Sequence, residues 1–184
     1  MVKENIFDTD IPRFREILTQ EFEYKIVIQG KKFPPERYDK FDYYHSLSPE
    51  EFHRYRAGIC WDFVAYENYV FTKSWPYVKY KLYYIEGEIG RTHTFLIYWN
   101  DKNRPVLFEA VNAGYRGCFE FKTEKDALKF MASKFFQYKP EKNWFIVEYK
   151  QPDEYGLTAR EFMDYVVTTG KLRMQKGLYY DEVR

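Results

Sequence analysis

Several features that mark special classes of protein are scarce in this chain. Two cysteines in 184 residues cannot build a disulfide framework, so free thiols in a reducing, cytoplasmic compartment are expected. Excess charge is missing as well: 29 basic against 28 acidic residues leave a net charge of +1. That balance gives no electrostatic drive toward a nucleic-acid backbone, and no nucleic-acid partner is expected. No apolar run approaches the roughly 18 residues a membrane span needs, and no membrane partner is expected either. The opening MVKENIFDTD carries acids and lacks an apolar signal core, so export is not expected. There is no internal repeat and no low-complexity tract. No Gly-rich phosphate loop or dinucleotide fingerprint occurs, and Gly87-Glu88-Ile89-Gly90 lacks the helix that would have to follow it. No cofactor is implied.

Aromatic residues, in contrast, are plentiful. They make up 22% of the chain, with 19 Tyr, 17 Phe and 4 Trp, enough for a core with rings left over to line a groove. The length fits one domain over residues 1–184. The longest linker-like stretch, residues 30–35 (GKKFPP), is too short to divide it. The pattern reads as a helical front, a β-rich middle and a helical back, an α+β class. A helix is predicted from Asp10-Ile11-Pro12, with Pro in the first turn and Phe14, Ile17, Leu18 and Phe22 at helical spacing. Ser48-Pro49-Glu50-Glu51 is a capping box and Gly58 is the expected stop. Residues 59–71 form a long apolar segment that reads as a central helix, with Asp62 suited to the positive end of its dipole. The period then changes. Residues 78–86, 92–99 and 105–111 read as strands of an antiparallel meander, with turn residues at Asn100-Asp101-Lys102-Asn103. A helix from Thr123, a strand over 143–150 and a short helix behind the capping box Thr158-Ala159-Arg160-Glu161 complete the reading.

Three residues stand out chemically. Cys60 falls in the first turn of the central helix, where unpaired amides and the helix dipole favour a thiolate. Gly58 would let a substrate approach the backbone, and the Cys60 and Trp61 amides could hold an oxyanion. Trp61 could wall the cleft; Tyr43, Tyr44 and Gln29 are candidates for a second oxyanion donor. His93 interrupts an otherwise apolar strand, as a base for the thiol would. Glu109, between Phe108 and Ala110, is an odd site for a charge without a partner. A hairpin centred on Asp101 or Lys102 makes paired residues sum to 202 or 204 and puts His93 and Glu109 on one sheet face, directly opposed or one diagonal step apart. A centre between those two residues would separate them. Cys118 has no local base and reads as structural. His45 and His53 fit no zinc spacing with Cys60, so no metal site is expected. Lys31-Lys32-Phe33 and Lys79-Tyr80-Lys81 mix bases with rings as nucleic-acid grooves do, but at this net charge they read as solvated faces. The loop over 86–91 (EGEIGR), just before His93, could flank the cleft.

Taken together, Gly58-Ile59-Cys60-Trp61-Asp62, Thr92-His93-Thr94-Phe95-Leu96 and Leu107-Phe108-Glu109 resemble the transglutaminase-like core. This is a branch of the papain-like cysteine enzymes with uncharacterised bacterial and phage members. The resemblance spans about residues 48–166, leaving residues 1–47 as an N-terminal helical extension. It implies a Cys-bearing helix packed on an antiparallel sheet that carries the His and an acid. It also implies nucleophile, general acid–base and ring-orienting roles for Cys60, His93 and Glu109. Glu stands where the wider superfamily usually has Asp. The implied activity is acyl transfer from a protein or peptide amide, of protease, amidase, deamidase or transglutaminase type. The alternative is a catalytically silent binding protein on the same scaffold, phage or mobile-element encoded.

Overall fold

Residues 5–35 and 43–177 are described by a computed structural model. The first long helix, α1 (Ile11–Glu21), begins where the Asp10 carboxylate accepts the Arg13 amide, with Pro12 in the first turn. Its Phe14, Ile17 and Leu18 are buried. The strands β1 (Glu23–Tyr24), β2 (Ile26–Ile28) and β3 (Lys31–Phe33) follow. Gln29 and Gly30 both have positive φ (49° and 74°) and turn β2 back onto β3. The stretch that reads as a linker is therefore largely a hairpin. Helix α2 (Pro49–Tyr55) has the full Ser48/Glu51 capping box, but it ends on Arg56 in the left-handed conformation (φ 51°) rather than on Gly58. Gly58 lies instead in β4 (Ala57–Gly58), directly before α3 (Cys60–Ser74).

The remaining elements are β5 (Tyr80–Gly87), β6 (Thr92–Trp99), β7 (Pro105–Glu109), β8 (Gly117–Glu120), α4 (Glu124–Phe135), β9 (Trp144–Tyr149), α5 (Ala159–Thr169) and β10 (Lys171–Lys176). Six strands form one sheet in the order β10-β9-β5-β6-β7-β8, antiparallel at every neighbour. The fold is mixed α+β. Strand alternation divides the core. Leu82, Tyr84, Leu96, Tyr98, Val106 and Phe108 pack with residues of α1, α3 and α5. Tyr83, Ile85, Phe95, Ile97 and Leu107 pack with Leu128 and Met131 of α4. Each such side chain contributes about 1.5–3 kcal/mol on burial, which is what fixes the register of the central strands.

The back of the chain is not purely helical, since β9 and β10 pair there. Both outer strands, β8 (GCFE) and β10 (KLRMQK), lack a run of fully buried positions, and for that reason periodicity did not reveal them. Residues 11–22 are no appendage: Phe14, Ile17, Leu18 and Phe22 belong to the same core cluster as α3.

Candidate active site

The start of α3 is built around Asp62. Ile59, at the N-cap, has no side-chain acceptor to offer the helix. Asp62 turns back instead: one carboxylate oxygen accepts the Ile59 amide at 2.8 Å and the other the Leu47 amide at 2.8 Å. The Tyr44 hydroxyl donates to the same carboxyl. Burial pushes Asp62 up to about 7, and these donors restrain the rise. Asp62 is thus the brace that ties the helix tip to the 44–47 segment, a larger role than that of a dipole partner. Gly58 is part of the same packing. A Cβ there would lie 2.7 Å from the Asp62 Cβ and 2.8 Å from the Phe52 ring, so the glycine serves close packing rather than substrate approach.

The other two groups come from the sheet. In the β6–β7 hairpin Leu96 faces Phe108 and Trp99 faces Pro105, which centres the turn on Lys102. Glu109 consequently sits one diagonal step from His93. Glu109 Oε2 and His93 Nε2 are 2.9 Å apart. The second oxygen of Glu109 accepts the amides of Val111 (2.8 Å) and Asn112 (2.9 Å), so the carboxylate is locked by its own chain. The imidazole stacks on Phe95 and on Phe135 of α4, at interplanar angles of 15° and 18°. With Nε2 given to Glu109, the other ring nitrogen is left for the thiol of Cys60, and the two side chains are close enough that each shifts the titration of the other. All three side chains are buried, Cys60 being 7% exposed at the floor of a cleft.

Electrostatics favour an ion pair. Burial alone would raise the Cys60 thiol, but hydrogen bonding and charge from His93, with help from Thr94, bring it below the ordinary thiol value. Burial alone would lower His93, but the Glu109 charge and the Cys60 sulfur raise it to about 10. Both shifts run in the direction of a thiolate–imidazolium pair. Cys118, in β8, behaves oppositely: burial pushes its thiol up to about 11.

Two groups at the site have no counterpart in the sequence reading. Tyr24, 36% exposed, is placed by the parallel pairing of β1 with β4, where it faces Gly58. Its hydroxyl is close enough to Cys60 for the thiol and the Cys60 backbone to shift its titration. Burial and the charge on the sulfur hold that hydroxyl well above its usual range, so it remains protonated. Glu67, two helical turns below Cys60, is 1% exposed. Burial first, and the Glu109 charge second, raise its carboxyl well above the usual range. A charge inside the apolar 59–71 segment was the available signal for Glu67. Nothing local could have revealed Tyr24, because only the β1–β4 pairing brings it to the thiol.

The remaining candidates separate cleanly. Trp61 lines the cleft, of about 530 Å³, and is also core, stacked on Tyr44 at 5.9 Å and edge-on to Phe162 at 4.9 Å. Tyr44 is fully buried with its hydroxyl committed to Asp62, so it is not a free oxyanion donor. Tyr43 and Gln29 border a different cavity, of about 740 Å³. The 87–91 loop does flank the cleft, through Ile89, Gly90 and Arg91. His45 Nδ1 lies 2.9 Å from the Gly156 carbonyl oxygen and His53 Nδ1 lies 2.7 Å from the Tyr66 hydroxyl. Among the described residues no group of three His, Cys, Asp or Glu side chains could hold a metal ion, and no helix is long and apolar enough to cross a membrane. Lys79 and Lys81 lie over the Trp99 ring, and Lys81 also pairs with Glu124 and Glu148. No protein-family model matches this chain, and neither the curated proteins nor the solved structures include a match to it.

Proposed function

We propose that this protein is a cysteine-dependent acyl-transfer enzyme on a papain- and transglutaminase-like core, acting on amide bonds of proteins or peptides. One observation carries the reading: Cys60, at a helix tip lining a cleft, is electrostatically paired with His93, whose Nε2 lies 2.9 Å from the buried Glu109 carboxylate. A third group orients the base, and the base activates the nucleophile.

The thiolate attacks the amide carbonyl carbon, forming a C–S bond and a tetrahedral oxyanion. The Tyr24 hydroxyl oxygen, close to Cys60, marks where that oxyanion would sit, with the helix-tip amides as donors. The His93 imidazolium delivers its proton to the leaving nitrogen as the C–N bond breaks, leaving a thioester and a neutral imidazole. That imidazole then takes a proton from water or from an incoming amine, which attacks the thioester and returns the sulfur as thiolate. Glu109, held by two amides, keeps the ring in register through both steps.

The test is competitive alkylation by iodoacetamide at neutral pH, read by peptide mass spectrometry. Cys60 is expected to label at least about tenfold faster than Cys118, since a thiolate and a raised thiol differ by orders of magnitude in reactive fraction. His93→Ala should slow the labelling of Cys60 and leave Cys118 unchanged. Slow, equal labelling of both thiols would sink the reading.

A further inference from the structure

The walls of the Cys60 cleft narrow the substrate. Apart from Cys60 and Tyr24, the one ionisable side chain among its described lining residues is Arg91. That cation is already engaged. Its guanidinium donates to the carbonyls of Phe135 (2.8 Å) and Lys139 (3.0 Å), lies over the Phe135 ring at 4.9 Å and sits 3.8 Å from the buried Glu141. No Asp, Glu, Lys, Asn or Gln lines the described cleft. Apart from Thr92 and Gly90 the rest is apolar, with Ile26, Ile59, Trp61, Ile89, Phe135 and Met163 prominent. Among the described lining residues a cation would lose water and meet no countercharge, and an anion would meet only the already engaged Arg91, which is costly, whereas an aliphatic or aromatic group would gain its transfer energy.

The wall over the mouth is fixed rather than floppy. Ile89, 50% exposed, sits on the β5–β6 turn with its amide donating to Glu141 at 3.3 Å. The next-door Glu88 accepts the Asn143 side chain at 2.6 Å and the Lys142 amide at 3.2 Å. Folding alone does not require an isoleucine exposed on a pinned turn beside a reactive thiol. Met163, on α5 across the cleft, is half-buried, and its unbranched thioether adapts to differently shaped apolar groups. A cleft of about 530 Å³ falls within the usual range for ligand sites. It has room for one large side chain and the adjoining backbone.

We propose that the cleft at Cys60 selects acyl donors that carry an uncharged aliphatic or aromatic side chain next to the scissile amide, and turns away donors that carry a charge there. The inference rests on the acyl-transfer reading. It is tested with peptidyl chloromethyl ketones differing only in the side chain next to the ketone: Phe, Leu, Asp or Lys. The thiolate displaces chloride, and Cys60 labelling is followed by intact mass, with iodoacetamide as a side-chain-free control. The Phe and Leu probes should react at least about tenfold faster than the Asp and Lys probes, the scale at which apolar pockets discriminate. Ile89→Lys, on an exposed turn position, should speed the Asp probe relative to the Phe and Leu probes. Met163→Asp should speed the Lys probe. Equal rates for all four probes, with iodoacetamide still preferring Cys60, would overturn the selectivity and leave the acyl-transfer reading standing. Iodoacetamide showing no preference for Cys60 would remove both.

Discussion

Protons decide when Cys60 can react, and three residues hold them. The thiol lies below its ordinary value and His93 at about 10. Amide turnover should therefore follow a bell. It falls in acid as the thiolate is protonated, and in alkali near pH 10 as His93 loses the proton it owes the leaving nitrogen. Tyr24 adds a third effect. Its hydroxyl is coupled to Cys60, where the proposed mechanism puts the substrate carbonyl oxygen, while the groups that chiefly stabilise the thiolate are His93 and Thr94. On that reading a substrate displaces the Tyr24 hydroxyl to enter. Tyr24→Phe should thus raise the rate of Cys60 alkylation by about two- to tenfold, the equivalent of about 0.5–1.5 kcal/mol for one hydrogen bond. Slower alkylation would mean that the hydroxyl supports the thiolate instead of occupying the site.

At the scale of elements, the helix tip and the β6–β7 hairpin are positioned by different kinds of force, and that difference decided what could be read in advance. The capping boxes at Ser48 and Thr158 close within four residues, so composition alone reveals them. The hairpin register depends on a short turn and an apolar alternation. The sequence therefore puts His93 and Glu109 on one face for a turn centred on Asp101 or Lys102 and on opposite faces for a centre between them, and the pairing of Leu96 with Phe108 decides it. The α3 tip depends on Asp62 reaching Leu47 and Tyr44 across the chain, and β1 on pairing with β4, from Glu23 to Ala57. Contacts of that range leave no periodic trace. The Asp62 brace is open to a direct test. Asp62→Asn keeps the size but presents an NH2 group to one of three donors, leaving a buried pair of donors face to face. The cost should be about 1–3 kcal/mol, or a fall in Tm of about 2–4 °C per kcal/mol for a chain of this length. Urea melts followed by circular dichroism would measure it. An unchanged midpoint would show that the tip is held by the α3 packing alone.

Over the whole molecule, the N-terminal quarter is the part that sequence resemblance handles least well. The transglutaminase-like core expected from the sequence begins near residue 48, yet the hydrophobic core does not begin there. Phe14 is fully buried and stacks on Phe108 of β7 at 5.7 Å, with Trp75 at 5.8 Å on another side. Phe22 stacks on Phe52 of α2 at 4.9 Å. Ile17, Leu18 and Ile26 are buried in the same cluster, and β1 carries Tyr24 to the thiol. Removing this segment would strip apolar cover from α3, β7 and α2 together, at about 1.5–3 kcal/mol for each large side chain lost. For the five side chains named that is about 7.5–15 kcal/mol, as much as the 5–15 kcal/mol by which domains are usually stable. A fragment beginning at residue 48 is therefore expected to show no cooperative urea transition. Phe14→Ala in the full chain should remain folded but lose about 3–5 kcal/mol. A sharp transition in the fragment would mean that α3 and the sheet hold the site without α1, and that the first quarter of the chain serves Tyr24 alone.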